Sequence, residues 1–333
     1  MAKSKKMEGA TGLAGFGAPP SRTGGTLATP AQLAQQHQRF LAAATADNTR
    51  RAYRSAIRHF LAWGGVLPCD AAMVVRYLLT FAEQLNPRTL GLRLTALSQW
   101  HRFQGFADPA AAPTVRKTLR GIARVHGRPR QQAKALSLED VQRIVMRLAE
   151  TGTLAALRDS ALLQTGYFGA FRRRELVGLT VSNLSWEREG LRITLPRSKT
   201  DPSGEGFSKA IPYGGGICCP ATVLQRWLTA AAIERGPLFR RINRWGGIGA
   251  AALTAGSVNS ILAVRAAEAG LPDVTKLSSH SLRRGLATSA YRAGADFRDI
   301  KRQGGWRHDA TVQGYIEEAG AFEENAAGAL LKE

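Results

Sequence analysis

GGWRHDATVQGYI, residues 304–316, ends one helix and starts another. Asp296 and Gly304 bracket a short helix, Trp306 follows the break, and Asp309 is placed to cap the next helix, which carries Tyr315. Packing in a core is the commoner fate of an indole and a phenol. Neither aromatic has a function by itself, and the weight of the stretch comes from what precedes it. Upstream lies HSLRRG, residues 280–285. Ser279 suits the cap of that helix, and His280 and Arg283, three apart, share a face. Leu282 and Leu286 fall on another face, toward a core.

Further back stands GAFRRRELVGL, residues 169–179. Three adjacent arginines cannot share one helix face, and Leu176 and Leu179 take the inward positions. An inward Arg172 needs a charged ligand or partner, because burying it unpaired is costly. Glu175, three residues on, is one such partner, and a purely structural ion pair is the plain alternative. Between these motifs Leu191, Ile193 and Leu195 alternate with polar residues, as a half-buried strand does. A turn rich in Gly, Ser and Pro follows at 198–206, and the chain returns through 210–211. The pattern predicts a hairpin with Lys199 near its tip and Lys209 on its returning arm. Everything after Pro220 reads as helix.

Arg172, Lys199, His280, Arg283, Trp306 and Tyr315 form a coherent chemical set. Four are cationic or can become so, one offers an indole N–H, and one a phenol. Such a set suits a phosphate attacked by a side-chain oxygen without a metal. The order in the chain is Arg172-x-x-Glu175, Lys199 in a turn, His280-x-x-Arg283, Trp306, then Tyr315 nine positions on. In this order the sequence resembles the tyrosine recombinases of the phage-integrase family. GGW with tyrosine nine residues later, and RGPLFRRINRWG at 235–246, look most like the Cre-like subgroup. The resemblance covers roughly residues 30–333, and its specific motifs all lie beyond Gly169.

That resemblance implies a mainly α fold with a small β-hairpin: an all-helical N-terminal core-binding domain and an α+β catalytic domain. It implies DNA cleavage by transesterification, with Tyr315 attacking the scissile phosphate to leave a 3′-phosphotyrosine and a free 5′-hydroxyl. The covalent link keeps the phosphodiester energy, so neither ATP nor another cofactor nor a metal is expected. Arg172 and Arg283 would hold the non-bridging oxygens in a fork that lysine cannot copy, and Trp306 would add its N–H. Lys199 would protonate the departing 5′-oxygen. Lys209 is the alternative acid, and the turn position of RSKT favours Lys199. His280 would assist deprotonation of Tyr315, and Glu175 would orient the cations. The implied partner is double-stranded DNA with a specific recombination site, bound by a homotetramer on two duplexes. The apolar stripe Phe322, Ala326, Leu330 and Leu331 in the helical tail 316–333 would dock on the neighbouring protomer and tie the ring together; packing on its own domain is the alternative.

Composition agrees with a polyanionic partner. The chain has 333 residues, room for two domains, with 46 Lys+Arg against 25 Asp+Glu, a formal charge of +21. No apolar run approaches a membrane span, so no membrane partner is expected. Cys69, Cys218 and Cys219 make no CxxC pair and no even disulfide framework, which suggests a reducing, cytoplasmic setting. Residues 1–29 have no signal-peptide core and read as a flexible basic tail.

Residues 30–126 read as the helical DNA-binding domain, its first element beginning near 29–32. A helix over 48–64 has Asn48 at its cap, Gly64 and Gly65 at its stop, and Tyr53, Ile57, Phe60 and Leu61 on one face. Arg50, Arg54 and Arg58 recur every four residues on another side. Like charges at that spacing repel, which a phosphate backbone would offset; a solvated face is the alternative. Asp70 opens the next helix with Met73, Val74, Tyr77 and Leu78 inward, and further helices run over 90–103 and 114–125. From 116 to 134 the chain has many cations and no acid. Arg116, Lys117, Arg128, Arg130 and Lys134 are therefore expected at the DNA. Residues 127–136 form a basic linker, extended along the DNA at 127–134. The catalytic domain, 137–333, opens at the cap Ser137, followed by helices through Ala149 and over 156–168.

Three rivals remain: a non-catalytic DNA-binding regulator of this fold, a type IB topoisomerase-like relaxase, and a metal-dependent transposase. The regulator predicts loss of one of the six residues, and all are present. The transposase needs clustered carboxylates to hold two ions, and none stands near the cationic motifs. The relaxase shares the phosphotyrosine chemistry and differs in not pairing two sites.

Overall fold

The computed structural model describes residues 29–43, 45–129, 132–195, 206–320 and 326–331. The chain divides into two compact units, Met1–Arg130 and Gln131–Glu333.

The first unit is helical: α1 Pro30–Ala43, α2 Asp47–Ala62, α3 Ala71–Thr80, α4 Pro87–Phe103 and α5 Pro113–His126. Its core is built by Phe60, Val74, Tyr77, Leu78, Leu90, Leu97, Val115 and Ile122, one stripe from each of α2 to α5. Asp70 caps α3 by accepting from the Met73 N–H at 2.8 Å. Two expectations for α2 need correction. Its cap position is Ala46, not Asn48, and no side chain caps it. Asp47 instead sits in the first turn, where a carboxylate meets the positive end of the helix. Leu61 is 46% exposed, and the buried residues of α2 are Ala56 and Phe60. Gly64, at φ +101°, stops the helix in a conformation that suits only glycine. Asn86 and Pro87 start α4 three residues before the expected Leu90, by an Asn cap and a proline in the first turn.

The second unit holds α6 Leu138–Thr151, α7 Leu154–Phe168 and α8 Arg173–Gly178, then strands β1 Leu184–Trp186, β2 Gly190–Leu195 and β3 Phe207–Pro212. It continues with α9 Pro220–Ala230, strands β4 Arg240–Ile242 and β5 Ile248–Ala252, and α10 Ala255–Glu268. Helices α11 Ser279–Arg292, α12 Phe297–Gly304, α13 Asp309–Ala319 and α14 Ala326–Leu331 follow. The fold is mostly helical, with a three-stranded antiparallel sheet ordered β1-β2-β3 and a two-stranded β4-β5 ribbon. Leu191, Ile193 and Leu195 bury their side chains as the alternation requires. The expectation of helix throughout after Pro220 fails at β4 and β5. Strand β4 is only three residues long and basic, and the glycine- and alanine-rich β5 leaves four of five residues exposed. Neither strand shows the apolar alternation that marks β2.

Buried residues of α7, α9, α10 and the sheet pack around Trp227, Phe171 and Phe239. The Trp227 indole donates to the Leu238 carbonyl at 2.8 Å, so the largest buried side chain leaves no polar group unsatisfied. Residues 132–136, expected within the basic linker 127–136, lie along the second unit. The Lys134 N–H donates to the Lys276 carbonyl at 3.1 Å and the Leu136 N–H to that of Ser281 at 3.2 Å. Gly285 permits this: a Cβ there would stand 1.9 Å from the Leu136 oxygen.

Candidate active site

The described site residues are positioned by local devices readable in the backbone. Between α7 and α8 the chain turns sharply at Ala170, a non-glycine residue at φ +44°. The turn brings three consecutive carbonyls to buried donors. Phe168 O accepts from Gln303 Nε2 at 2.8 Å, Gly169 O from Lys209 Nζ at 2.6 Å, and Ala170 O from Arg283 Nη1. Arg172 follows at the cap of α8. Its N–H donates to Glu175 Oε2 at 2.9 Å and its Nη1 to Glu175 Oε1 at 2.6 Å. Glu175 thus caps α8 and pairs with Arg172 at once, while the Arg172 side chain stays one-quarter exposed (25%). Both inward leucines of this motif, Leu176 and Leu179, are buried.

Helix α11 supplies Arg283. Its cap is Ser278 rather than Ser279, accepting from the His280 N–H at 3.2 Å. Ser279 is buried instead, its N–H donating to Asn259 Oδ1 at 2.9 Å. His280 lies exposed on the first turn, three residues before buried Arg283. Arg283 Nη1 also donates to Gly304 O at 2.9 Å. Burial pulls Arg283 down to about 10; Arg172 pushes the same way, and Glu175 and Tyr315 oppose it. The guanidinium remains charged at neutral pH.

The GGW turn explains itself. Gly305 caps α12 in the left-handed conformation, φ +65°. A Cβ on Gly304 would stand 1.8 Å from the Trp306 ring, so only glycine lets the indole fold back over α12. Trp306 is nearly buried, the Arg283 guanidinium lies 4.6 Å from its ring centre, and the Tyr315 ring meets it edge-on at 5.8 Å. His308, not Asp309, occupies the cap of α13; Asp309 is its first residue and pairs with Lys301. Tyr315 is half-buried in the cluster of Trp306, Val312 and Ile316.

The structure therefore brings Arg283, Trp306 and Tyr315 into contact, with Arg172 and Glu175 close enough to act on Arg283. Lys199 lies in the β2–β3 connection, outside the described residues, as do Arg130 and Phe322. Lys209 is 3% exposed on β3. Two further residues at this site escaped the sequence reading. Gln303 braces the Phe168 carbonyl, and the Arg284 guanidinium lies 5.5 Å from the Tyr315 ring centre while donating to Ala133 O at 2.6 Å. An arginine adjacent to Arg283 in the sequence was the available signal. Among the described residues no group of three or more His, Cys, Asp or Glu side chains is placed to hold a metal ion.

Of the basic residues expected at DNA, Arg54, Arg58, Arg116, Lys117 and Arg128 are exposed. Arg50 is half-buried and pairs with Asp47 within α2. Lys134 faces Asp273 at 3.4 Å. The tail is not one continuous helix, because α13 ends at Ala319 with Gly320 at its cap. Leu330 and Leu331 on α14 are exposed. No described helix is long and apolar enough to cross a membrane.

A helical unit followed by an α+β unit, with Arg172 at the cap of α8, Arg283 on α11, Trp306 between α12 and α13, and Tyr315 on α13, defines a tyrosine-recombinase architecture. The phage integrase family model matches residues 134–321, and the chain belongs to that family. It is 35% identical over 304 residues to an integrase/recombinase XerD homolog of Selenomonas ruminantium, covering 89% of each chain. To the tyrosine recombinase XerC of Mycobacterium leprae it is 28% identical over 298 residues, 81% of this chain and 88% of that one. Among solved structures, the XerH recombinase bound to its palindromic difH substrate, a post-cleavage complex, superposes with a TM-score of 0.58 at 18% identity, covering 84% of this chain and 80% of that one. A lambda integrase tetramer bound to a Holliday junction gives 0.55 at 14% identity, covering 86% and 77%.

Proposed function

We propose that this chain is a site-specific DNA recombinase that cuts and rejoins strands through a 3′-phosphotyrosine on Tyr315. The carrying observation is the packing of Arg283, Trp306 and Tyr315 into one cluster beside the Arg172–Glu175 pair. In this reading the free donors of Arg172 and Arg283 receive the non-bridging oxygens, where charge grows in the transition state. Trp306 adds its N–H to the same phosphate. Tyr315 attacks phosphorus, the P–O bond to the 5′-oxygen breaks, and the 3′-phosphoryl group passes to the phenol oxygen. His280 takes the phenol proton. Lys199 gives a proton to the departing 5′-oxygen, which leaves as a hydroxyl, and rejoining reverses each step. Glu175 holds Arg172 in its donating rotamer.

The substrate is duplex DNA carrying a specific site. Four protomers act on two duplexes, since an exchange needs four cuts. The lambda integrase tetramer on a Holliday junction supports this assembly, and the XerH complex the DNA substrate, by the likeness of their fold. The exposed arginines of α2 and the cations of α5 would follow the phosphate backbone, whose contacts position the protein without reading sequence.

The test is covalent trapping. Purified protein is mixed with sheared DNA from its source in excess EDTA, denatured, and the DNA left attached is sequenced. The expected result is a protein–DNA adduct at one recurrent site. An adduct that forms only when magnesium is added would contradict the mechanism, and relaxation of supercoiled DNA without joining of two sites would favour the relaxase.

A further inference from the structure

Lys209 is a cation in the apolar phase of a strand. It pairs across the sheet with Ile193 and shares the inward face of β3 with Ile211. Its nitrogen donates to Gly169 O at 2.6 Å and to Gln303 O at 2.7 Å. The rings of Phe171 and Phe207 lie 4.9 and 5.5 Å from it. Two carbonyls and two aromatic rings thus surround it, and only 3% of the residue is open to solvent.

The two carbonyls belong to different segments, the cap of α7 and the last turn of α12. Gly169 stands three residues before Arg172, and Gln303 three before Trp306. Arg283 spans the next pair in the same way, from Ala170 O to Gly304 O. Lys209 and Arg283 are therefore two parallel rungs between the loop that presents Arg172 and the loop that presents Trp306. Arg283 has donors left for a phosphate; Lys209, enclosed, does not reach one. We propose that Lys209 is a positioning residue, whose side-chain nitrogen sets the spacing of the Arg172 and Trp306 loops and thereby the geometry of the phosphate site. This rests on the recombinase reading above. A protein nitrogen with two N–H groups can serve two carbonyls whether or not it also carries a third proton. Burial and the charge of Arg283 pull Lys209 down to about 7, opposed by Glu175 and reinforced by Arg172, so the rung holds through neutrality.

The experiment uses the full chain with Lys209→Met, which keeps length and removes the donors, and Lys209→Gln, which keeps donors on a shorter arm. The first readout needs no DNA. Of the six tryptophans, labelled with 5-fluorotryptophan, the Trp306 line is assigned through Trp306→Phe. Its ¹⁹F shift should move in Lys209→Met, and less in Lys209→Gln. The second readout is single-turnover cleavage of the duplex recovered by trapping, with binding measured alongside. Cleavage should fall about a hundredfold with binding unchanged, the scale expected when reacting groups are misplaced by about 1 Å. The third uses the same duplex with sulfur at the bridging 5′ position, a leaving group that needs no proton. Positioning predicts no recovery. Recovery by sulfur would make Lys209 the general acid and overturn the proposal, as would an unmoved Trp306 line with normal cleavage. If wild-type protein forms no adduct, the recombinase reading fails, while the fluorine line still reports the tie between the loops.

Discussion

Arg172 and Arg283 differ in their surroundings although the sequence presents each between an apolar residue and a further arginine. Arg172 is one-quarter exposed and held by Glu175, whereas Arg283 is buried against two carbonyls. Both keep N–H groups that a single ammonium cannot replace. Arg172→Lys and Arg283→Lys should each lower single-turnover cleavage by on the order of a hundredfold while DNA binding persists, and near-normal rates would show both to be structural. Lys209 gives a pH signature. Its folded value of about 7 lies below that of an unfolded lysine, so between about pH 7 and 10 the unfolded chain binds more protons and stability rises with pH. The Tm of wild type should therefore climb relative to Lys209→Met across that window, and parallel profiles would contradict its burial. Arg283, Trp306 and Tyr315 were grouped in the sequence by their order along the chain and its likeness to the phage-integrase family, and they pack together in the fold. The place of Lys209 was not legible, because its partners lie 40 and 94 residues away and no local pattern brings them near.

At the scale of elements, the sequence marks helices where an apolar stripe coincides with a cap. Asp70, Ser137 and Asp296 each accept from an N–H two or three residues on, as their positions predict. Caps were misplaced by one residue where serines adjoin, at Ser278 and Ser279, and where Asp309 begins α13 without capping it. Strand β2 was readable from its alternation; β4 and β5 were not, because exposed, basic or glycine-rich strands have no apolar phase to read. The loop from α12 to α13 depends on the missing side chain of Gly304. A methyl there would overlap the Trp306 ring, and an overpacked core costs about 1–3 kcal/mol. Gly304→Ala should lower the Tm and also the cleavage rate, because the indole must leave its place beside Arg283. An unchanged rate and Tm would mean that Trp306 sits elsewhere.

For the whole molecule, a charge of +21 over 333 residues implies tight, salt-sensitive attachment to a polyanion. The exposed leucines of α14 would supply a protomer contact on DNA, and a single short helix buries too little area to hold protomers together without it. Truncation after Gly320 should spare binding to half of the trapped site and weaken cooperative filling of the whole, read by gel-shift titration. Equal cooperativity with and without the tail would move the protomer contact elsewhere. The nucleophile is open to direct observation. Trypsin should release residues 308–332, between Arg307 and Lys332, with Tyr315 as its one tyrosine. Mass spectrometry of the adduct trapped in EDTA should find the nucleotide on Tyr315 of this peptide, and Tyr315→Phe should bind the site and form no adduct. A nucleotide on another residue, such as Tyr291 of α11, or an adduct that persists in Tyr315→Phe, would contradict the account.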